Sequence, residues 1–213
     1  MSLPILYGPG FSYFIRSMRL LFQFKGIQHA VSKTPFGVEI PLFGDQHAQL
    51  HPFKKMPVLI DGDVVLPETL AIARYLESQP GPSFMPGDSK QQATILSLAS
   101  MISLYVHKAL MGNIILEFRF PKGADGAIRF DVMEENIPYA KSVLDWLVTR
   151  LDMRLFIAGE QFSLADAYLI PMIDYLHQMP EPFNLSHGYN SLCRYIEYHR
   201  TQPYSIGILG PPV

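Results

Sequence analysis

Several features that define other classes of protein are scarce in this chain of 213 residues. It has one cysteine, Cys193, which cannot form an internal disulfide and therefore favours a reducing compartment. Charged residues make up 17% of the chain and the net charge is −2, which gives no electrostatic reason to expect nucleic acid. No uninterrupted apolar run approaches the roughly 18 residues of a membrane span, and the N-terminus does not resemble a signal peptide. The sequence therefore predicts a soluble, cytoplasmic protein that does not bind membranes.

The motifs of several kinds of catalysis are also absent. The seven histidines do not fall at metal-ligand spacings with acids or cysteine, so we expect no metal. Neither a Gly-rich phosphate loop nor a G-x-S-x-G nucleophile elbow occurs. The lack of a C-x-x-C motif excludes dithiol exchange of the thioredoxin type.

The first 79 residues alternate between strand and helix patterns. Strand-like runs at 3–7 and 27–31 flank a helical pattern at 12–24, and a short helix is expected at 46–50. Two further β-rich runs, 58–60 and 64–66, are joined by the turn Asp61-Gly62-Asp63, and a helix follows from 68 to 78. This βαβαββα order predicts an α/β domain over residues 1–79.

A turn-rich linker over residues 80–90 separates this domain from a helical one. Helical periodicity recurs at 91–116, 132–151, 164–178 and 189–200, without a convincing strand. Ser163 and Asp166 have the spacing of a capping box, which is a structural motif and not a chemical one. We therefore expect an all-α helical bundle over residues 91–213.

The hairpin and the helix after it form half of an anion site. Glu68 and Thr69 stand at the predicted helix start, where free N–H groups and the positive end of the helix dipole attract negative charge. The carboxylate of Glu68 and the hydroxyl of Thr69 lie beside these N–H groups, so the site suits a peptide ligand that has a free carboxylate and amine. The alternative for the pair is a simple helix cap.

Together these segments resemble the cytosolic glutathione transferase superfamily, of the bacterial type with a serine at the active-site position. LYGPGFSYFIRSMRLLFQFKGI is similar to the family's first strand, active-site loop and first helix, HPFKKMPVLIDGDVVLPETLAIARYLE to its glutathione-binding segment, and FSLADAYLIP to its helical-domain capping box. The resemblance covers nearly the whole chain. It implies a thioredoxin-like N-terminal domain, glutathione as co-substrate, a homodimer, and a detoxifying transferase that acts on small hydrophobic electrophiles.

The resemblance also implies roles for individual residues. It places a cis peptide bond between Met56 and Pro57, where the backbone of Met56 would pair with the cysteine of glutathione. It puts Glu68 and Thr69 at the γ-glutamyl end of the tripeptide. Lys55 matches a lysine that some classes use near the glycyl end, and a solvated surface charge is the alternative.

Ser12 is the predicted catalytic residue. A thiol with a pKa of about 8.5 is scarcely ionised at neutral pH, and a hydroxyl at a helix N-terminus can donate a hydrogen bond that holds the thiolate. The alternative is that Ser12 only caps the first helix. Tyr7 is the rival, because the tyrosine classes place their hydroxyl at the end of the first strand, and Tyr13 is a third candidate.

Phe11, Tyr105, His107 and Met111 could face the cleft where the family binds its electrophile, although a core or dimer role is as open for Tyr105, His107 and Met111. The sequence does not identify the electrophile. A second function also stays open, a non-catalytic regulator that resembles stringent starvation protein A, a bacterial protein that binds RNA polymerase. That protein lacks a serine at the position matching Ser12, so this serine favours the enzyme.

Overall fold

The structure of the protein is a computed structural model that describes residues 3–210. The chain divides into two compact units. The first runs to Phe84 and also includes the segment that begins at Gln202, and the second runs from Met85 to Thr201. The boundary at Phe84 lies inside the predicted linker. The return of the chain to the first unit differs from the sequence prediction, which assigns residues 202–213 to the helical domain.

The first unit is built on a four-stranded sheet. Its strands are β1 (Ile5–Tyr7), β2 (Ala30–Ser32), β3 (Val58–Asp61) and β4 (Val64–Pro67), in the order β2-β1-β3-β4. β1 pairs parallel with β2 and antiparallel with β3, and β3 pairs antiparallel with β4. The helices are α1 (Tyr13–Phe24), α2 (Asp45–Leu50) and α3 (Thr69–Glu77). The order along the chain is the predicted βαβαββα, and the thioredoxin-like prediction is confirmed.

The core of this unit is formed by one face of α1 and the central strands. Ile15, Met18 and Phe22 recur at helical spacing along α1 and are fully buried, as are Leu6 of β1 and Leu59 of β3. The amphipathic pattern of the first helix thus decides which face it presents to the sheet.

The segment after Gln202 is held against α1 by side chains of that helix. Arg16, Arg19 and Gln23 donate hydrogen bonds to backbone carbonyls between Ile206 and Gly210. These three donors are spaced so that they lie on one face of the helix. The acceptors are carbonyl groups, which every residue carries, so these hydrogen bonds have no sequence signature. The ring of Tyr204 also packs edge-on against Phe24 of α1, at 5.9 Å between centroids.

The second unit consists of helices. They are α4 (Ser89–Met101), a π-helical stretch (Ile102–Ile115), α5 (Leu116–Arg119), α6 (Phe130–Leu151), α7 (Leu164–His177) and α8 (Asn190–Arg200). Nearly all of α7 is buried, and it packs against α4, α8 and the π-helical stretch. The predicted helical bundle is therefore confirmed.

The π-helical stretch is a difference from the sequence prediction, which expects an α-helix over residues 91–116. Hydrogen bonds in a π-helix run from residue i to i+5, which gives a wider turn than the α-helix. Its buried residues include Ile102, Val106, Leu110 and Ile114, which recur every four residues. This spacing fits an α-helix as well as the wider turn, so the apolar pattern does not distinguish the two kinds of helix.

The continuous helical segment Ser89–Arg119 also passes a test for membrane spans. It has 31 residues and a window of mean hydropathy 1.4, of which 44% is buried. The core helix of a soluble protein passes the same test. This average over a window is at variance with the prediction from uninterrupted apolar runs, but a single helix of this kind is weak evidence for a membrane span.

The predicted capping box at the start of α7 is confirmed. Asp166 is fully buried and accepts hydrogen bonds from the N–H groups of Ser163, at 3.0 Å, and Ile157, at 2.8 Å. The hydroxyl of Tyr195 donates to the same carboxylate at 3.0 Å, and burial raises the pKa of Asp166 to about 6. The motif therefore joins the start of α7 to α8 within the second unit.

Candidate active site

Three chain segments leave the sheet of the first unit at the same end. Tyr7, the last residue of β1, pairs with Val58, the first residue of β3, and Val58 pairs with Pro67, the last residue of β4. Since β3 runs antiparallel to both neighbours, the loop after β1, the segment before β3 and the start of α3 emerge side by side. The predicted catalytic serine and every predicted glutathione-binding residue belong to these three segments.

Gly8, directly after β1, lets two of these segments approach each other. Its φ is +138°, and a Cβ atom there would lie 2.5 Å from Cδ1 of Ile15 and 3.2 Å from Cβ of Met56. The first of these distances is shorter than real Cβ contacts allow. Glycine is thus required where α1 and the segment before β3 pack against the same turn.

Ser12 is the N-cap residue of α1, with a φ of −62° and a ψ of 131°. Its backbone N–H donates to the carbonyl of Pro9 at 2.9 Å, but its side chain makes no capping hydrogen bond. The structure therefore does not support the alternative in which the Ser12 hydroxyl only caps the first helix. A half-buried hydroxyl beside the N–H groups of a helix start can donate to an anion bound there.

The two rival hydroxyls have different surroundings. Tyr7 is fully buried, and its hydroxyl donates to the carbonyl of Ile40 at 3.1 Å. Burial, together with the negative charge of Glu39, raises the pKa of Tyr7. Tyr13 is also buried, with its ring edge-on to Phe14 at 4.6 Å between centroids. Tyr7 is thus a core residue whose hydroxyl already has an acceptor.

The segment before β3 carries the predicted backbone contact. The cis peptide bond between Met56 and Pro57 is confirmed. Nε2 of His47 donates to the carbonyl of Lys55 at 2.9 Å and so fixes the backbone that leads into Met56. The side chain of Lys55 is exposed, and its ammonium forms no hydrogen bond or ion pair with any part of the chain that the structure describes.

Glu68 and Thr69 lie at the start of α3, as predicted. Glu68 is the N-cap residue with a φ of 72° and a ψ of 121°, and its side chain makes no capping hydrogen bond. A non-glycine residue in such a conformation costs about 1–3 kcal/mol and is found most often at ligand-binding and active sites. Oε1 of Glu68 lies 3.2 Å from Nε2 of His51, while 70% of the Glu68 side chain is exposed. The carboxylate is therefore held on one side and open to a ligand on the other.

Two histidines of this region, His47 and His51, were not predicted from the sequence to have a role. His47 is in α2 and His51 follows its last residue, four positions later, and both are buried. Nδ1 of His47 accepts from the N–H of Phe43 at 3.1 Å, and Nδ1 of His51 accepts from the N–H of Phe53 at 3.2 Å. Their spacing could have indicated a shared helix face. Their contacts with Lys55 and Glu68 had no sequence signal.

The four residues predicted for the electrophile are distributed over both units. Phe11 is an exposed residue of the first unit, and the other three belong to the π-helical stretch of the second. Tyr105 is 61% exposed, whereas Met111 is only 4% exposed, and burial lowers the pKa of His107. The burial of Met111 fits the core role that the sequence left open. The electrophile site stays a prediction.

Metal ions in proteins are held by clusters of histidine, cysteine and carboxylate side chains. Within residues 3–210, no group of three or more His, Cys, Asp or Glu side chains could hold a metal ion.

The chain matches two family models in order. Residues 6–84 match the glutathione S-transferase N-terminal domain, and residues 131–197 match the C-terminal domain. Glutathione S-transferase F14 of Arabidopsis thaliana is 32% identical over 159 residues, which cover 72% of this chain and 62% of that protein. Glutathione S-transferase 1 of Triticum aestivum is 30% identical over 146 residues, which cover 63% of each. The chain thus spans less than two thirds of the length of these two relatives.

Solved structures of similar fold cover more of the chain at lower identity. Glutathione transferase F7 of Populus trichocarpa has a TM-score of 0.79, 20% identity and coverage of 95% of both chains. Maize glutathione S-transferase I, in complex with an atrazine glutathione conjugate, has a TM-score of 0.82, 21% identity and coverage of 97% and 96%. Most of these relatives are plant proteins, whereas the sequence resemblance suggested the bacterial type. Because both domain models match in order and the fold agrees over nearly the whole chain, the protein belongs to the glutathione S-transferase superfamily.

Proposed function

We propose that the protein is a glutathione transferase, in which Ser12 stabilises the thiolate of glutathione and the sulfur attacks a small hydrophobic electrophile. The observation that carries this proposal is the side chain of Ser12 at the N-cap of α1, which takes no part in capping the helix. The hydroxyl can therefore donate to a sulfur anion, and the positive end of the helix dipole favours the same charge. Tyr7 is the weaker candidate, because its hydroxyl already donates to a backbone carbonyl in the core.

The rest of the glutathione molecule finds complementary groups at the same end of the sheet. In this proposal the carboxylate of Glu68 receives the ammonium of the γ-glutamyl group. The hydroxyl of Thr69 and the N–H groups at the start of α3 hold its carboxylate. The backbone of Met56 pairs with the cysteine of glutathione, and the ammonium of Lys55 reaches the glycyl carboxylate.

The names of the relatives support this chemistry. The wheat and Arabidopsis proteins are named glutathione S-transferases, and the maize relative was solved with a glutathione conjugate of atrazine. We propose the same class of reaction for this chain, with an apolar electrophile whose identity is left to a substrate screen.

We also propose a homodimer that acts in the cytoplasm. The first unit exposes four large apolar side chains between residues 36 and 53, and Phe53 is 76% exposed. Where exposed apolar side chains form a contiguous patch, they mark sites of protein association, so these four are our candidates for the dimer surface. Sedimentation at micromolar concentration should give twice the mass of the 24.1 kDa chain, and a mass near the single chain would contradict the dimer.

Retention on immobilised glutathione, followed by elution with free glutathione, tests the binding step. Turnover with aryl halides, epoxides, enones and peroxides then tests the reaction. Binding with turnover is the expected result. Binding without turnover of any of these classes would favour the regulator that resembles stringent starvation protein A, and a failure to bind would contradict the proposed function.

A further inference from the structure

His51 is a buried histidine that contacts an exposed acid of the candidate site. Its side chain is 2% exposed, and its Nε2 atom lies 3.2 Å from Oε1 of Glu68. Its other ring nitrogen, Nδ1, accepts a hydrogen bond from the N–H of Phe53. A nitrogen that accepts a hydrogen bond must keep its lone pair, so the ring proton is on Nε2 and points towards the acid.

A neutral donor has a different effect on Glu68 from that of a lysine or arginine. A cation at this distance would offset the negative charge of the carboxylate and weaken its attraction for an ammonium group. An uncharged N–H restricts the side chain and leaves its charge available. Since an exposed glutamate otherwise loses much rotamer freedom when it binds a ligand, a partner that restricts it beforehand favours binding.

We propose that His51 is a positioning residue, which holds the carboxylate of Glu68 where it meets the amino group of a γ-glutamyl ligand. The inference rests on the proposed glutathione site and adds a determinant of selectivity for the free amine. His51 does not touch the ligand in this account. It acts only through Glu68.

Two substitutions separate the positioning role from a structural one. The side-chain oxygen of asparagine can replace Nδ1 as the acceptor for the N–H of Phe53, but asparagine has no donor that reaches Glu68. The longer amide of glutamine can place a donor near the position of Nε2. Calorimetry would measure the dissociation constants of glutathione and of glutaryl-cysteinylglycine, which lacks only the amino group.

We expect His51→Asn to weaken the binding of glutathione about two- to fivefold, the range of a contact with a largely exposed charge. Its affinity for glutaryl-cysteinylglycine should not change, because that analogue offers Glu68 no ammonium. His51→Gln should restore the wild-type affinity for glutathione. The matched control is His29→Asn, since the ring of His29 stacks on Phe22 and its Nδ1 lies 3.4 Å from the carbonyl oxygen of Ile27, contacts that include no residue of the proposed glutathione site. This variant should bind both ligands as the wild type does.

Equal losses for both ligands in His51→Asn would overturn the inference, because they would indicate general damage to the site. An unchanged affinity for glutathione would overturn it as well. If the wild-type protein itself does not bind glutathione, the proposed function fails and the inference fails with it. If the wild type binds glutathione and His51→Asn binds it equally well, only the inference about His51 fails, and the proposed function stands.

Discussion

Replacement of Ser12 by alanine tests the proposed activation of the thiol. The side chain makes no capping hydrogen bond, so a bound thiolate loses a donor while the helix loses little. A hydrogen bond to a charged group contributes about 1.5–3 kcal/mol, and about 1.4 kcal/mol corresponds to one pKa unit. The pKa of the thiol of bound glutathione should therefore rise by about one to two units in Ser12→Ala.

The consequence at neutral pH is a smaller population of thiolate. Turnover should fall on the order of ten- to a hundredfold, with the affinity for glutathione nearly unchanged, because the lost contact acts on the ionised sulfur. The assay is the thiolate absorbance of bound glutathione, followed against pH. Thr69→Ala is the counterpart, which should weaken glutathione binding and leave the pKa of the thiol alone.

Tyr7→Phe is the control for the rival hydroxyl. Its loss removes a buried hydrogen bond to Ile40 and should lower the free energy of unfolding by about 1 kcal/mol without moving the thiol titration. If Ser12→Ala keeps the wild-type titration while Tyr7→Phe shifts it, the tyrosine is the activating group and the assignment to Ser12 is wrong.

Three further predictions concern stability, measured by denaturant unfolding. Gly8→Ala should lower the free energy of unfolding by about 1–3 kcal/mol, because alanine would need a φ of +138° and would meet a side chain of α1 at 2.5 Å. An unchanged midpoint would contradict this. Ser163→Ala should lower the free energy of unfolding by about 1–3 kcal/mol, since the Ser163 hydroxyl donates to the buried Asp166 at 2.7 Å. Ser12→Ala should lower it by less than about 0.5 kcal/mol. Equal losses in the two variants would contradict the difference in capping between these serines. Burial lowers the pKa of His199 to about 3 in the folded protein. As the pH falls, the unfolded chain therefore takes up a proton at this histidine before the folded protein does. The stability that is present above about pH 6.5 is then lost as the pH falls towards the folded-state pKa. Relative to His199→Gln, the wild type should lose about 3 kcal/mol between about pH 6.5 and pH 4, and parallel pH profiles would contradict the assignment.

Much of the fold could be predicted because its signals are local. The Asp-Gly turn between two β-rich runs predicts the hairpin of β3 and β4, and the spacing of Ile15, Met18 and Phe22 predicts the buried face of α1. The capping box at Ser163 likewise depends on residues three positions apart. Each signal lies within a few residues of the element that it specifies.

The features that the sequence did not predict depend on contacts between distant parts of the chain. The segment after Gln202 returns to the first unit because Arg16 and its neighbours on α1 bind carbonyl groups, which have no sequence signature. The buried residues of the π-helical stretch recur about every four residues, which is also the period of an amphipathic α-helix, so the pattern predicted an α-helix.

The candidate site shows the same division. The resemblance supplied Ser12, Met56 and Glu68 as candidates, but only the strand register explains why their segments emerge together. Glu68 has a positive φ and contacts His51, which lies seventeen positions earlier in the chain. No local sequence pattern predicts a contact between residues so far apart.

The proposed role of Ser12 can be tested by a crystal structure of the protein with bound glutathione. In that structure we expect the glutathione sulfur to lie within hydrogen-bond distance of the hydroxyl of Ser12. The γ-glutamyl group should be at Glu68 and Thr69, and the cysteine backbone should pair with Met56. A tripeptide bound away from this end of the sheet, or a sulfur that contacts a tyrosine hydroxyl and not Ser12, would contradict it.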